Sequence, residues 1–183
     1  MLYFAYGANM FTPHMLATVP SAVCKGPAEL KGYRLFFHKK SHRDESAKCN
    51  IIHTRQADDS VFGVLYKLAP RYRYVLDRAE GLGYGYQDAV LRVYPYDSLL
   101  KKSSDTGVFA FAYIAHQDAV HDNLLPFEWY KEMVVTGAKL NQLPDRYVQY
   151  LDYYETMIDP NSERDQAQRA YLSSKMIMFT EHF

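Results

Sequence analysis

Glu80 is the carboxylate of this chain best placed for proton-transfer chemistry. It closes the stretch "PRYRYVLDRAEG" (Pro70–Gly81), directly before the glycine that stops the helix. The C-terminal end of a helix disfavours negative charge. Its neighbours Ala79, Leu82, Tyr84 and Tyr86 are apolar or aromatic. A carboxylate desolvated among such groups has its pKa raised toward neutrality, where it can serve first as base and then as acid. The plainer alternative is a solvated glutamate at a helix end. A second candidate lies near the first residue, where the run Leu2–Tyr6 meets Gly7-Ala8-Asn9. Such small side chains let consecutive backbone N–H groups converge on an anion, although an ordinary strand-to-helix turn needs no more than the same residues.

Other constellations carry less chemistry. Tyr6-Gly7-Ala8-Asn9 lacks the second glycine, the lysine and the hydroxyl of a P-loop, and "GLGYG" (Gly81–Gly85) follows a helix, whereas a dinucleotide fingerprint follows a strand. Cys49 and His53 have no diagnostic nucleophile–base spacing. The seven histidines (14, 38, 42, 53, 116, 121 and 182) show no metal-ligand pattern, so no metal is expected. Asp77, Arg78 and Asp88 read as surface charges, and His42 with Arg43 as part of a solvated loop.

The elements that must position these groups follow from patterning. Residues 2–6 form a buried strand, and Thr12 with Pro13 starts a short helix to about Thr18, Thr12 serving as N-cap. "AELKGYRLFFHK" (Ala28–Lys39) and "SVFGVLYKL" (Ser60–Leu68) are rich in β-formers, and the polar segment Lys39–Asn50 between them reads as an exposed loop. Pro70–Gly81 is a helix with Val75, Leu76 and Ala79 facing inward. Tyr86–Tyr96 alternates as a strand, and Gly107–Ala115, apolar on both faces, is a central one. Helices are predicted over Leu125–Gln142, Pro144–Ile158 and Glu163 to about Lys175. Strands before residue 115 and helices after it give an α+β class: a mixed, curled or closed sheet with helices at one side.

Composition bounds the partners. A chain of 183 residues suits one domain, with 21 basic and 21 acidic residues that balance. This disfavours nucleic acid and anionic membrane as main partners, since both are held through excess positive charge. Two cysteines without a signal-peptide pattern favour a reducing, cytoplasmic setting. No apolar run approaches the length that crosses a bilayer. The 17 tyrosines and 10 phenylalanines point to an aromatic core, with tyrosine also lining pockets where one end stays polar.

Three segments in order, "YFAYGANM" (Tyr3–Met10), "LDRAEG" (Leu76–Gly81) and "YKEMVVTGAKLNQLPDRYVQYL" (Tyr130–Leu151), closely resemble the γ-glutamylcyclotransferase family, related to the AIG2-like and butirosin-type cyclotransferases. The family pattern of Tyr-Gly-Ser-Asn, Glu-Gly, and Gly-Ala followed by Gly-Leu-Pro and Tyr appears here as Tyr6-Gly7-Ala8-Asn9, Glu80-Gly81, and Gly137-Ala138 with Leu143-Pro144 and Tyr147. Ala8 replaces the usual serine and Gln142 a glycine. The resemblance implies a small, mixed, partly closed β-barrel with flanking helices, a domain over residues 1–160, and a helical extension over 161–183 packed on it.

It also implies a chemistry. The α-amine of a γ-glutamyl amide attacks its own γ-carbonyl, closing 5-oxoproline and releasing an amine or amino acid. No cofactor is needed, and the partner is a small γ-glutamyl molecule. Glu80 takes the proton of the amine and returns one to the expelled nitrogen. The N–H groups of Gly7, Ala8 and Asn9 hold the substrate carboxylate and the developing oxyanion, so that Gly7→Val should harm binding more than folding. Tyr6, Tyr86, Tyr113 and Tyr130 wall the pocket and offer hydroxyl donors. The leaving group stays open among amino acids, dipeptides, amines, lysine side chains and antibiotics. Its selection is expected in Lys39–Asn50 and His116–Trp129, where Asp44, Glu45, Lys39, Lys40 and Arg43 could favour either charge. The alternative from another class is a non-catalytic pocket protein of the same fold that binds a small acidic metabolite.

Overall fold

Five strands close on themselves. In the computed structural model, which describes residues 1–180, β1 (Leu2–Ala5) runs antiparallel to β5 (Ser60–Lys67) and parallel to β8 (Val108–Ala115). β5 pairs with β2 (Val23–Lys31), and β8 with β6 (Tyr86–Asp97), both antiparallel. A short contact of β2 with β6, Ala28 opposite Pro95 and Glu29 opposite Tyr94, completes the ring. Proline suits this place because it leaves one ladder hydrogen bond unmade at a seam that is only two residues long. β7 (Lys102–Ser103) merely extends the end of β6. The α+β class and the mixed barrel agree with the sequence reading.

Two corrections come from the segment after β2. The expected strand Ala28–Lys39 is two strands, because Gly32 turns the chain in the left-handed region (φ +77) and starts β3 (Tyr33–Lys40). The expected loop Lys39–Asn50 is largely a hairpin: β3 pairs with β4 (Ala47–His53) as a separate ladder. Lys39, Ser41, Ser46, Cys49 and Asn50 are buried in it. Asn50 fixes the hairpin to the barrel by accepting the Ala115 N–H at 2.8 Å and donating to His38 Nε2 at 3.0 Å.

The helices fall near their expected positions. α1 (Thr12–Thr18) has Pro13 in its first turn, but Phe11 is the capping residue, and the Thr12 hydroxyl instead bonds Tyr66 Oη at 3.0 Å. α2 (Arg73–Glu80) follows a single 3-10 turn at Pro70 and ends on Gly81 (φ +75). It buries Leu76 completely, whereas Val75 is half-buried and Ala79 is exposed. α3 (Glu128–Leu140), α4 (Asp145–Tyr153) and α5 (Ser162–Thr180) cover one side. The last three residues of the expected 161–183 extension, His182 among them, lie outside the described residues. α5 is tethered at its start by Arg164, which grips the buried Asp159 through two bonds of 2.6 Å, while Trp129 of α3 donates to the same carboxylate. Further along, Leu172 packs with Phe11 and Met133.

Gly137-Ala138 has a packing reason. A Cβ on Gly137 would lie 2.4 Å from the Phe11 nitrogen and 2.6 Å from the Met10 carbonyl carbon, so α3 touches the backbone that leaves the 7–9 turn. Asn141, one turn on, donates to the Met10 carbonyl at 2.8 Å. Gly137→Ala should therefore lower the unfolding free energy by about 1–3 kcal/mol, the range for overpacking a tight site. Urea unfolding checks this, and an unchanged midpoint would show that the contact yields freely.

Candidate functional site

All eight residues singled out from the sequence line one cavity of about 340 Å³: Glu80, Tyr6, Gly7, Ala8, Asn9, Tyr86, Tyr113 and Tyr130. Tyr3, His14, Lys39, Arg43, Lys48 and Cys49 share it. β1 delivers the turn at one wall. α2 delivers Glu80 at another, with Leu76 sunk in the core and Gly81 ending the helix at the cavity edge.

The turn is chemically bare. Gly7 precedes a 3-10 turn over Ala8–Met10 whose carbonyls are used: Met10 N–H donates to Gly7 O at 2.9 Å and Phe11 N–H to Ala8 O at 3.0 Å. The N–H groups of Gly7, Ala8 and Asn9 themselves meet no acceptor among the described residues. Three consecutive donors without partners beside a cavity form a ready anion site. Gly7 is required here for space, since its φ of −120° suits any residue. A Cβ there would meet Cys49 Cβ at 3.2 Å and Tyr130 Oη at 3.4 Å. Gly7→Val would thus push on β4 and α3 and harm folding as well as binding.

Asn9 has a second task that the sequence did not reveal. Its side chain is buried, and its Nδ2 donates to Glu80 Oε1 at 2.5 Å and to Tyr3 Oη at 3.1 Å. One residue thus couples the turn to the carboxylate. Burial pushes the Glu80 carboxyl from its ordinary 4.5 up to about 7, against the opposing pull of the Asn9 bond and of Lys39 and Arg43. That range suits a group that must both take and give a proton near neutral pH.

The tyrosines serve as struts more than as free donors. Tyr6 donates to the Tyr113 carbonyl, Tyr86 to the Cys49 carbonyl at 2.6 Å, and Tyr113 to Asp77 Oδ1 at 2.6 Å. Asp77 also accepts from Arg73 Nε at 2.7 Å, so the expected surface charge is part of the framework that holds α2 on β8. Tyr130 accepts the Cys49 N–H at 3.1 Å. Tyr3, which sequence reasoning missed, accepts from Asn9 and has no acceptor for its own proton among the described residues. A tyrosine within an apolar strand was the available signal, since a buried hydroxyl needs a partner.

Cys49 is poorly suited to serve as a nucleophile, although it lines the cavity. It is buried, burial pushes its thiol up to about 12, and it adjoins Gly7 and Tyr130. His53 lies four residues further along the extended β4, with its ring against Tyr33 at 4.8 Å between centroids.

A closed five-stranded barrel thus presents a carboxylate and a bare backbone turn to one cavity of small-molecule size. The model of the AIG2-like family matches residues 60–151, just over half of the chain, and the chain belongs to that family. It is 28% identical over 162 residues to the γ-glutamylcyclotransferase of Bos taurus, covering 87% of this chain and 79% of that protein. The Homo sapiens γ-glutamylcyclotransferase is likewise 28% identical, over 166 residues and the same shares of each chain. In fold, the chain is similar to a solved γ-glutamyl cyclotransferase structure, with a TM-score of 0.76, 24% identity, and 93% and 98% of the two chains covered. YkqA from Bacillus subtilis superposes with a TM-score of 0.66 at 20% identity, over 86% of this chain and 56% of that one. No described helix is long and apolar enough to cross a membrane.

The raised Glu80 value carries a sign that unfolding can test. The native state holds this proton where the unfolded chain has released it, so ionising Glu80 costs stability as pH rises from about 4.5 to about 7. Glu80→Gln abolishes the titration. Between about pH 4 and about pH 8, urea unfolding should show the variant gaining roughly 3 kcal/mol relative to the parent. A difference independent of pH would mean that the carboxyl ionises in the cavity as it does in water.

Proposed function

We propose that the chain is a γ-glutamylcyclotransferase: it cyclises the glutamyl half of a γ-glutamyl amide to 5-oxoproline and releases the amine. The observation that carries this reading is the Asn9-held Glu80 carboxyl, raised to about 7, in the same cavity as three unpartnered N–H groups. The names of the bovine and human relatives point the same way.

The nucleophile is part of the substrate, so the protein's first task is to hold one conformer. In this reading the N–H groups of Gly7, Ala8 and Asn9 bind the α-carboxylate and the oxygen that becomes negative as the ring closes. They are fixed by the fold and need no reorganisation as charge develops. The α-amine, with an ordinary pKa of about 8, is mostly protonated near neutral pH and must lose a proton to attack. Glu80 takes it. The lone pair closes on the γ-carbon, the ring nitrogen sheds its second proton to solvent, the tetrahedral centre collapses, and the C–N bond to the leaving group breaks. Glu80 returns the proton to that nitrogen, which leaves as a neutral amine, and the carboxylate is regenerated for the next turnover. The rings of Tyr6, Tyr86, Tyr113 and Tyr130 narrow the space and limit water. A pocket that only bound an acidic metabolite would gain nothing from a buried carboxylate facing that ligand.

Two variants test the assignment with 5-oxoproline release from a panel of γ-glutamyl amides as readout. Glu80→Gln should fold and lose about 10²-fold or more in kcat, the low end for acid–base catalysis; near-normal turnover would remove Glu80 from the mechanism. Ala8→Ser restores the family's hydroxyl. If the loop works through its N–H groups, kcat/KM should change by less than about tenfold, the worth of one hydrogen bond. A larger gain would show that the hydroxyl, absent here, is a principal ligand.

A further inference from the structure

His14 lines the cavity and has no part in the cyclisation described above. The other basic side chains of the cavity belong to the β3–β4 hairpin. Lys48 bonds Asp44 at 2.8 Å, just as Lys40 nearby pairs with Glu45 at 3.0 Å. Lys39 and the exposed Arg43 act on Glu80, whose carboxyl their charges pull downward. His14 stands apart from this set. It is carried by α1, the helix that begins two residues after the 3-10 turn over Ala8–Met10.

The C-terminal helix reaches the same end of the cavity. Ala8 and Tyr171 of α5 both pack on the small cluster of Phe11, Met133 and Leu172. The Tyr171 hydroxyl lies 3.3 Å from His14 Nδ1, and the two rings meet edge to face with 5.9 Å between centroids. That hydroxyl bonds nothing else among the described residues, so its proton is given to Nδ1. An imidazole that accepts at one ring nitrogen carries its own proton on the other. Burial lowers the His14 pKa below the ordinary 6.5, so the neutral ring is the form held at neutral pH. With Nδ1 turned to α5, the polar atom that remains for the cavity is Nε2, and it is a donor. The turn has room for such a donor. Its three N–H groups are divided between the α-carboxylate and the developing oxyanion, and a carboxylate alone can accept about four hydrogen bonds.

We propose that His14 Nε2–H is a side-chain ligand for the α-carboxylate of the glutamyl group, completing the anion site of the 7–9 turn, and that Tyr171 is the positioning residue that fixes its tautomer. Through this pair α5 takes part in substrate recognition as well as covering one side of the barrel. The inference rests on the cyclotransferase reading above, in which the turn holds that carboxylate.

Two substrates that differ only in this group decide it: the γ-glutamyl amide that the parent turns over best, and the 4-aminobutyryl amide of the same amine, which lacks the α-carboxylate. Both are read by kcat/KM for amine release, or by Ki as a competitor where turnover of the second is too slow. The ratio between the two within one preparation does not depend on how much of a variant folds. His14→Ala should lower the value for the γ-glutamyl amide by about tenfold or more, the low end for a hydrogen bond to a charged group, and leave the 4-aminobutyryl amide within about twofold. His14→Gln, which keeps an N–H donor, should recover most of the loss. Tyr171→Phe should lose several-fold, again on the γ-glutamyl amide alone. A ratio unchanged in His14→Ala overturns the proposal, whether both substrates suffer equally, as a purely structural contact between α1 and α5 implies, or neither does. A Tyr171→Phe ratio equal to the parent's overturns the role given to α5. If the parent turns over no γ-glutamyl amide at all, the cyclotransferase reading itself fails, and this inference falls with it.

Discussion

The hydrogen bond from Asn9 to Glu80 joins the two halves of the cavity. Asn9 belongs to the turn after β1, and Glu80 ends α2, 71 residues later. Each arrives by a separate route: β1 through its pairing with β5 and β8, α2 through Leu76 and the Arg73–Asp77–Tyr113 contacts. A bond of 2.5 Å forms only if both routes end in register. The amide also lowers the cost of a carboxylate in a place where burial disfavours it. Without that donor, burial would push the carboxyl higher still.

The aromatic richness of the chain follows from this architecture. A cavity inside a small barrel must be lined by large groups, and the elements around it must be tied without adding charge. Tyrosine does both, because its ring fills space while its hydroxyl reaches a backbone carbonyl or carboxylate across the gap. Tyr6, just after β1, links that strand's end to β8, Tyr86 links β6 to β4, Tyr113 links β8 to α2, and Tyr130 links α3 to β4. Tyr150 and Tyr154 repeat the device outside the cavity, both donating to the Leu35 carbonyl and so fixing α4 and the residue after it to β3. The walls are therefore rigid, and the polar groups left for a ligand are few.

Much of the fold was legible because the barrel obeys simple patterning. β1, β5, β6 and β8 are apolar or alternating runs bounded by turns, and α2 carries its stop signal in Gly81. Glu80 and the run Tyr6–Asn9 came from short motifs, Tyr86 from its nearness to Glu80, and Tyr113 and Tyr130 from their positions along the chain; the structure brings all eight into one cavity. The hairpin β3–β4 was half legible. Its second strand and the connection read as loop because "KKSHRDESAKCN" is polar, and periodicity has nothing to report when a strand faces a polar cavity. Its buried polar groups are satisfied by partners distant in sequence: Asn50 by Ala115, and His38 by Asn50 and Asp122. The dual role of Asn9 and the strut role of the tyrosines were hidden for the same reason, as both depend on partners that only the fold supplies.

Charge was the other hidden quantity. Counted along the sequence, the segment from Lys39 to Asn50 holds cations and anions whose net effect on a ligand has no obvious sign. In the fold, the two acids are neutralised within the hairpin itself, and the cations that remain do not share one environment. Arg43 is solvated, where screening leaves a lone charge with little to do. Lys39 is desolvated, where the same charge interacts strongly with whatever enters. The formal charge of zero for the whole chain thus conceals a cavity with an excess of positive groups around one titratable carboxylate. A buried lysine carries a desolvation cost that methionine in the same space would not, and the charges of Glu80 and Asp44 offset only part of it. Its presence across the cavity from Glu80 is a departure from what packing alone favours, and it sets a positive charge against the one titratable carboxylate of the site.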